Sequence, residues 1–245
     1  QMKKWIFIFG ILAAMSVYSQ NQVSITPDDH YNKLANTDLS YGYPTEEEKE
    51  LYLNEITFQQ GVQSYLWALP AVNMWSMKEA SEKAMGAGYN VFPIWAERMT
   101  ANTLIPTPND DVIYAMKYVD LKADGPLVVE VPAGIQGLFD DFWQRPIESH
   151  HNGKTWYGAV GLVGPDEGKG GNFLLLPPDY KGDVPEGYYV YRSRTYNVFI
   201  FWRAFYKDPN NLKPAVDLIK TTKIYPLGQK STAKPMKFPN ATKLK

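Results

Sequence analysis

No cysteine occurs among the 245 residues. This excludes disulfides, thiolate nucleophiles, cysteine-bound metal and a lipidated N-terminal cysteine. Histidine is nearly as scarce, with three in all, and no H-E-x-x-H spacing joins them. No G-x-S-x-G is present either, so a serine on a strand-to-helix elbow is excluded. A surplus of one charge is missing too. The formal net charge of −1 provides no broad basic field, and no nucleic-acid partner is expected. The one long apolar run, residues 5–17, is short for a membrane span and soon gives way to polar residues.

That run follows Lys3 and Lys4 and closes on the small residues Val17 and Ser19. Together they make the pattern of a secretory signal, residues 1–19, cleaved after Ser19. The expected location is periplasmic or secreted, with no stable membrane anchor after cleavage. A retained anchor is the competing reading. Removing the segment takes away two lysines and no acid, leaving the remainder at −3.

What is present is apolar and aromatic. The 44% apolar content suffices for one substantial core or two small ones, and Tyr 17, Phe 11 and Trp 7 favour strands. Residues 20–44 are polar and suggest an exposed lead-in. Thr45 then caps a helix whose first turn holds Glu46, Glu47 and Glu48, where the dipole favours negative charge. Leu51, Phe58, Val62, Tyr65, Leu66 and Leu69 form an apolar stripe at helical spacing that runs to Pro70. A second helix is expected over 72–85, ended by Gly86 and Gly88. Beyond residue 110 the period becomes strand-like, with runs at 112–119, 127–131, 155–163, 173–176, 188–191 and 196–202. Asn152-Gly153 fits a type I′ turn, which sets His151 opposite Lys154 and His150 opposite Thr155. A last helix is expected over 214–221. Helices first and strands later predict an α+β domain, with N-terminal helices packed on a mostly antiparallel β-sandwich.

Two polar centres stand out. In Thr107-Pro108-Asn109-Asp110-Asp111, three adjacent oxygen-bearing side chains suit hydroxyl groups or a hard cation, and Asp110 or Asp111 suits a general base. Turn chemistry also explains these residue types. In Tyr191-Arg192-Ser193-Arg194-Thr195, Arg192 and Arg194 share one side of a strand and, with Arg203, suit a carboxylate or phosphate. An ion-paired sheet face explains them equally. Tyr114 and Trp202 are candidate pocket walls. His150 and His151 diverge on a strand, so no metal site and no cofactor is expected. The run Gly164-Pro165-Asp166-Glu167-Gly168-Lys169-Gly170-Gly171 is one residue short of a phosphate loop and lacks its Ser or Thr, so it reads as a turn.

The stretch Gly61-Val62-Gln63-Ser64-Tyr65-Leu66-Trp67-Ala68-Leu69-Pro70 resembles the bacterial family called domain of unknown function 1254. Further matches follow in order: the 107–111 motif with Tyr114, then Asp120-Leu121 before Gly125-Pro126, then residues 170–178. Pro185-Glu186-Gly187-Tyr188, the 192–195 motif with Arg203, and Ile224-Tyr225-Pro226-Leu227 complete a resemblance over roughly residues 55–228. It implies an N-terminal helical part, a β-sandwich and often a following jelly-roll domain, the domain of unknown function 1214. It implies no established reaction. Val112 stands where the family usually has Thr, and residues 148–157 depart from its pattern.

Two functions are compatible with these features. One is an exported, hydrolase-like enzyme acting on a polar or carbohydrate-like molecule. In it Asp110 and Asp111 are catalytic, and Asn109, Tyr114, Arg192, Arg194, Trp202 and Arg203 hold a small polar or anionic ligand. The other is a non-catalytic binding or assembly module. The two arise from one question, whether the polar centres converge. Residues 229–245 carry five lysines and no acid. They read as a basic linker or tail leading to a further C-terminal domain of the same protein.

Overall fold

A computed structural model describes residues 27–243 apart from 38, 40, 41, 104, 106 and 107, so the expected signal segment lies outside the described residues. The chain forms two compact units, Gln1–Trp67 and Ala68–Lys245. In the first, the expected lead-in contains a helix, α1 (Pro27–Ala35). This stretch is tied to the next helix by His30 Nε2 with Glu55 Oε2 at 2.6 Å, and by Tyr52 Oη donating to Thr37 Oγ1 at 2.5 Å.

That next helix, α2 (Glu46–Met85), starts with a reciprocal capping box. Thr45 N donates to Glu48 Oε2 at 2.8 Å, and Glu48 N donates to Thr45 Oγ1 at 3.3 Å. The expected break at Pro70 does not occur, and one helix replaces two. An interior proline removes one backbone bond and costs about 3 kcal/mol. Packing of Met74 and Met77 against Tyr118 and Phe142, a few residues on, offsets that cost. The apolar stripe is not a buried one: Phe58, Tyr65 and Leu66 stay at least 60% exposed. Gly86, at φ 99°, ends α2 as its sequence signals. No described helix is long and apolar enough to cross a membrane.

The second unit continues with β1 (Ile94–Trp95), β2 (Val112–Asp120), the short α3 (Leu121–Asp124) and β3 (Leu127–Val131). Then come β4 (Gln136–Asp141), β5 (Glu148–His151), β6 (Lys154–Tyr157), β7 (Ala159–Val160) and β8 (Gly171–Leu176). β9 (Tyr189–Arg192), β10 (Asn197–Phe205), α4 (Lys213–Lys220) and β11 (Lys223–Pro226) follow. One sheet runs β1-β2-β10-β4-β7, all antiparallel. The other runs β11-β3-β8-β9, with β8 and β9 parallel. β5 and β6 form the expected hairpin, with His151 opposite Lys154 and φ of 50° and 72° at Asn152 and Gly153. The fold is α+β, as predicted.

Strand alternation builds the core. On the first sheet Ile113, Ala115, Val119, Val198, Ile200, Trp202 and Ala204 face inward, and they meet Val129, Phe173, Leu175, Tyr191 and Ile224 of the second. Trp202 is fully buried, its ring 6.1 Å from Phe92 and 5.5 Å from Phe139. Gly137 makes room for it, because a Cβ there would overlap the indole and the Phe201 carbonyl. In the glycine-rich run the Asp166 carboxylate accepts from Gly161 N at 2.7 Å and Gly170 N at 3.1 Å, so these amides serve a turn.

The basic tail is ordered as far as the described residues run, where an unstructured linker was expected. Phe92 N donates to Lys237 O at 2.8 Å, Lys237 N to Asn90 O at 2.7 Å, and Ile94 N to Pro239 O at 2.9 Å. Met236 and Phe238 pack on the core, and Ala241 is fully buried. Composition concealed this. Strand-like main-chain bonding together with two apolar residues at period two is enough to dock the segment.

Lys117 breaks the inward row of β2. It is 3% exposed and donates to the Gly88 carbonyl at 2.5 Å. Burial pushes its ammonium down to about 7 from an ordinary 10.5, against the pull of Asp124 and Glu82. Between those values the unfolded chain holds a proton that the folded chain lacks. Stability therefore rises as pH climbs through this window and is lost as pH falls toward 7. Lys117→Met should remove that rise, on the order of 1–3 kcal/mol. Urea midpoints of both proteins at neutral pH and near pH 10 check this, and an unchanged pH dependence in the variant would refute it.

Candidate functional site

Of the first polar centre, Thr107 lies outside the described residues, and the rest forms a turn leading into β2. Asn109 Oδ1 accepts from Asp111 N at 2.7 Å, the side-chain-to-backbone bond that makes such a turn. Asp110 Oδ2 takes Arg98 Nη2 at 2.6 Å with both side chains about half exposed. The Asp110 carbonyl accepts from Tyr206 Oη. Asn109 N donates to Tyr114 Oη at 3.1 Å. Tyr114 stands opposite Arg203 in the β2–β10 register, and the guanidinium lies 5.8 Å from the Tyr114 ring and 5.1 Å from the Phe201 ring. Asn109, Asp110, Asp111, Tyr114 and Arg203 therefore share one end of the first sheet.

The second centre does not join them. Arg192 Nη1 donates to Tyr180 O at 2.8 Å, and Arg194 Nη2 to Glu148 Oε1 at 3.2 Å, so the pair is divided between two partners. Both precede Asn197, which pairs with Asp120 at the far end of β2. Asp110 and Asp111 precede the near end, a nine-residue strand away, which at about 3.4 Å per residue is roughly 30 Å. The expected convergence on one pocket is absent. Trp202 is no pocket wall either. It points into the core, because alternation turns its neighbour Arg203 outward.

The face of the same sheet turned away from the second sheet, against which Met74 and Met77 of α2 pack, holds groups that the sequence did not single out. Phe199, half-buried on β10, lies between Tyr118 of β2 and Asp140 of β4 in register, with Asn197 two residues away on the same face. Tyr118 Oη, Asp140 Oδ1 and Asn197 Oδ1 are all buried and have no hydrogen-bond partner among the described residues. The Tyr118 ring stacks on Phe199 at 5.2 Å and meets Phe142 edge-on at 6.0 Å. Burial, with the charge of Asp141 added, pushes the Asp140 carboxyl up to about 6. Burial likewise pushes the Tyr118 hydroxyl up. Asp140 was not singled out from the sequence, where its only signal is its place in the pair Asp140-Asp141. Asp141 is the structural one, taking Trp143 N at 2.8 Å and Arg145 Nε at 2.9 Å.

A family model described as Protein of unknown function (DUF1254) matches residues 89–226, more than half of the chain. The chain belongs to this family. The matched span covers both polar centres and the Phe199 face, whereas the 61–70 motif lies outside it. A comparison with proteins of curated function returned no match. Among solved structures, the VPA0106 protein from Vibrio parahaemolyticus is similar at 19% identity with a TM-score of 0.47. The match covers 71% of this chain and 39% of that protein, so the chain spans about two fifths of its length.

The turn roles separate Asn109 from Asp110. Asp110→Asn removes an exposed ion pair and should change unfolding stability by less than about 1 kcal/mol. Asn109→Ala removes the bond to Asp111 N and should cost about 1 kcal/mol. Thermal and urea unfolding of both variants tests the order, and a larger loss in Asp110→Asn would contradict it.

Proposed function

We propose that the chain is an exported ligand-binding domain that holds a small polyhydroxylated, carbohydrate-like molecule over the Phe199 ring. The observation that carries this reading is the set of three buried, unpartnered oxygens around one half-buried aromatic ring. Such groups cost a fold stability and gain nothing from the chain itself. A sugar supplies what they lack. Its hydroxyls donate to Asp140 and Asn197 and accept from Tyr118, while its C–H face lies on the part of Phe199 that the Met74–Met77 cluster leaves uncovered. Binding is favoured over hydrolysis because Asp110 is paired with Arg98, and because Arg192 belongs to the other sheet and Arg194 to the link that enters the far end of β10. A hydrolase is the second reading, and Asp140 favours it: a carboxyl near 6 exchanges its proton close to neutral pH.

Titration calorimetry with a panel of mono- and disaccharides and uronic acids should find saturable binding. Asp140→Asn should weaken it roughly tenfold and Tyr118→Phe severalfold. Ligand-free Tyr118→Phe should be no less stable than the parent, since it loses an unpaired buried hydroxyl. The Asp140 carboxyl lies above its ordinary 3.8, so the folded state loses stability as pH rises from about 4 through about 6. Asp140→Asn should recover that loss, on the order of 1 kcal/mol after solvent screening. If no saccharide binds, or if the variants bind as the parent does, the reading fails. Asp140-dependent cleavage of chromogenic glycosides would establish the second reading instead.

Export rests on Lys3, Lys4, the apolar residues 5–17 and the small residues at 17 and 19. The intact mass of protein recovered from the periplasm of a bacterial host should correspond to a chain starting at Gln20. A mature N-terminus still at Met2 would overturn it.

A further inference from the structure

The docked C-terminal segment and β11 border an open cleft of about 720 Å³ on the side of the second unit served by the second sheet. That volume lies within the usual range for small-molecule sites, roughly 300–1,000 Å³. Four lysines line it: Lys220, Lys223, Lys230 and Lys234. Glu130 of β3 binds two of them, with Lys230 Nζ at 2.5 Å and Lys223 Nζ at 3.6 Å, and accepts from Tyr225 Oη at 2.7 Å. Lys220 sits in the last turn of α4, where a cation complements the dipole. Lys234 forms no ion pair among the described residues; its ammonium lies 5.9 Å from the Tyr89 ring and within electrostatic reach of Asp124. The local charge is therefore positive even with Glu130 and Asp124 in place.

A second feature points to a ligand independently of charge. Thr222, between α4 and β11, lines the cleft and is 1% exposed, and its hydroxyl has no hydrogen-bond partner among the described residues. A buried hydroxyl without a partner forfeits roughly 1–3 kcal/mol unless something enters to meet it. Met236 and Phe238 give the same cleft an apolar wall.

We propose that this cleft binds a small organic anion, a carboxylate or phosphate monoester on an apolar or aromatic body. Lys220 and Lys234 hold its charged end, Thr222 meets a polar atom at the floor, and Met236 covers the apolar body. Both anionic groups present the acceptor oxygens that ammonium and hydroxyl groups satisfy. The site is separate from the Phe199 face and does not depend on it.

The probes are 1-naphthoate, 1-naphthyl phosphate and inorganic phosphate, titrated by calorimetry and by amide chemical-shift mapping. The two naphthyl anions should bind with Kd on the order of 0.1–1 mM, and inorganic phosphate at least about tenfold more weakly, because it lacks the apolar body. The anionic group that binds tighter identifies the source. Shifts should concentrate at residues 220–225 and 233–238. The double variant Lys220→Gln/Lys234→Gln should weaken binding at least about fivefold, and Thr222→Val about threefold, with melting temperatures close to the parent. Asp140→Asn should leave naphthyl binding unchanged. Absence of saturation by about 5 mM, equal binding by the double variant, or shifts centred on Phe199 would each overturn the proposal.

Discussion

The burial of Trp202 between the two sheets, in space that Gly137 leaves open, determines which way the neighbouring side chains face. β10 alternates strictly, so an inward Trp202 turns Asn197, Phe199, Phe201 and Arg203 outward. Pairing with β2 and β4 then sets Tyr118 and Asp140 on either side of Phe199. A slip of one residue would exchange the two rows, exposing the indole and driving Arg203 into the core. Burying an indole is worth a few kcal/mol, and an unpaired guanidinium in its place would cost more than that. The candidate ligand face is thus a consequence of core packing.

The same strand shows where sequence reading succeeds and where it stops. Residues 127–131 and the Asn152-Gly153 register were legible because period two and a turn needing two positive φ values each have one structural solution. The strand at 196–202 was legible too, but its facing was not. Phe199 and Phe201 on one side are as apolar as Ile200 and Trp202 on the other, so hydrophobicity could not choose the core side. Trp202 therefore looked like a candidate wall, and Asp140 went unnoticed on β4, whose Gly137 breaks the alternation. The docking of residues 235–241 was hidden for a different reason. It rests on backbone bonds to residues 90–94, which composition does not report.

The polar residues divide into two groups. Asn109, Asp120, Asp141 and Asp166 all bond to backbone amides within a few residues, which is what their positions at strand and helix ends require. They resemble sites in sequence because turns and sites draw on the same residue types. The second group is recognised by lack of partners. Of the eight buried side-chain atoms without a partner among the described residues, four belong to the outer face of one sheet: Tyr118, Asp140, Asn197 and Arg203. Scatter through the core would suggest ordinary packing faults, whereas concentration on one face suggests a surface shaped for something else.

Without disulfides, the sandwich must carry these unsatisfied groups on packing alone, and pH determines how heavily they weigh. Asp140 stays neutral in the folded chain up to about pH 6. The fold loses stability from about pH 4 to 6 because the unfolded chain ionises there first, and the full burden is present above about 6. Lys117 is charged below about 7 and relieves the fold only as it loses its proton above that value. Both charges are therefore present together between about 6 and 7, where the combined contribution of the two groups to stability is least favourable. A ligand hydroxyl donating to Asp140 would relieve one of these burdens where they overlap. Ligand-induced stabilisation on the outer face should thus grow as Asp140 ionises, whereas Lys117 points to the opposite side of β2, where it bonds the Gly88 carbonyl.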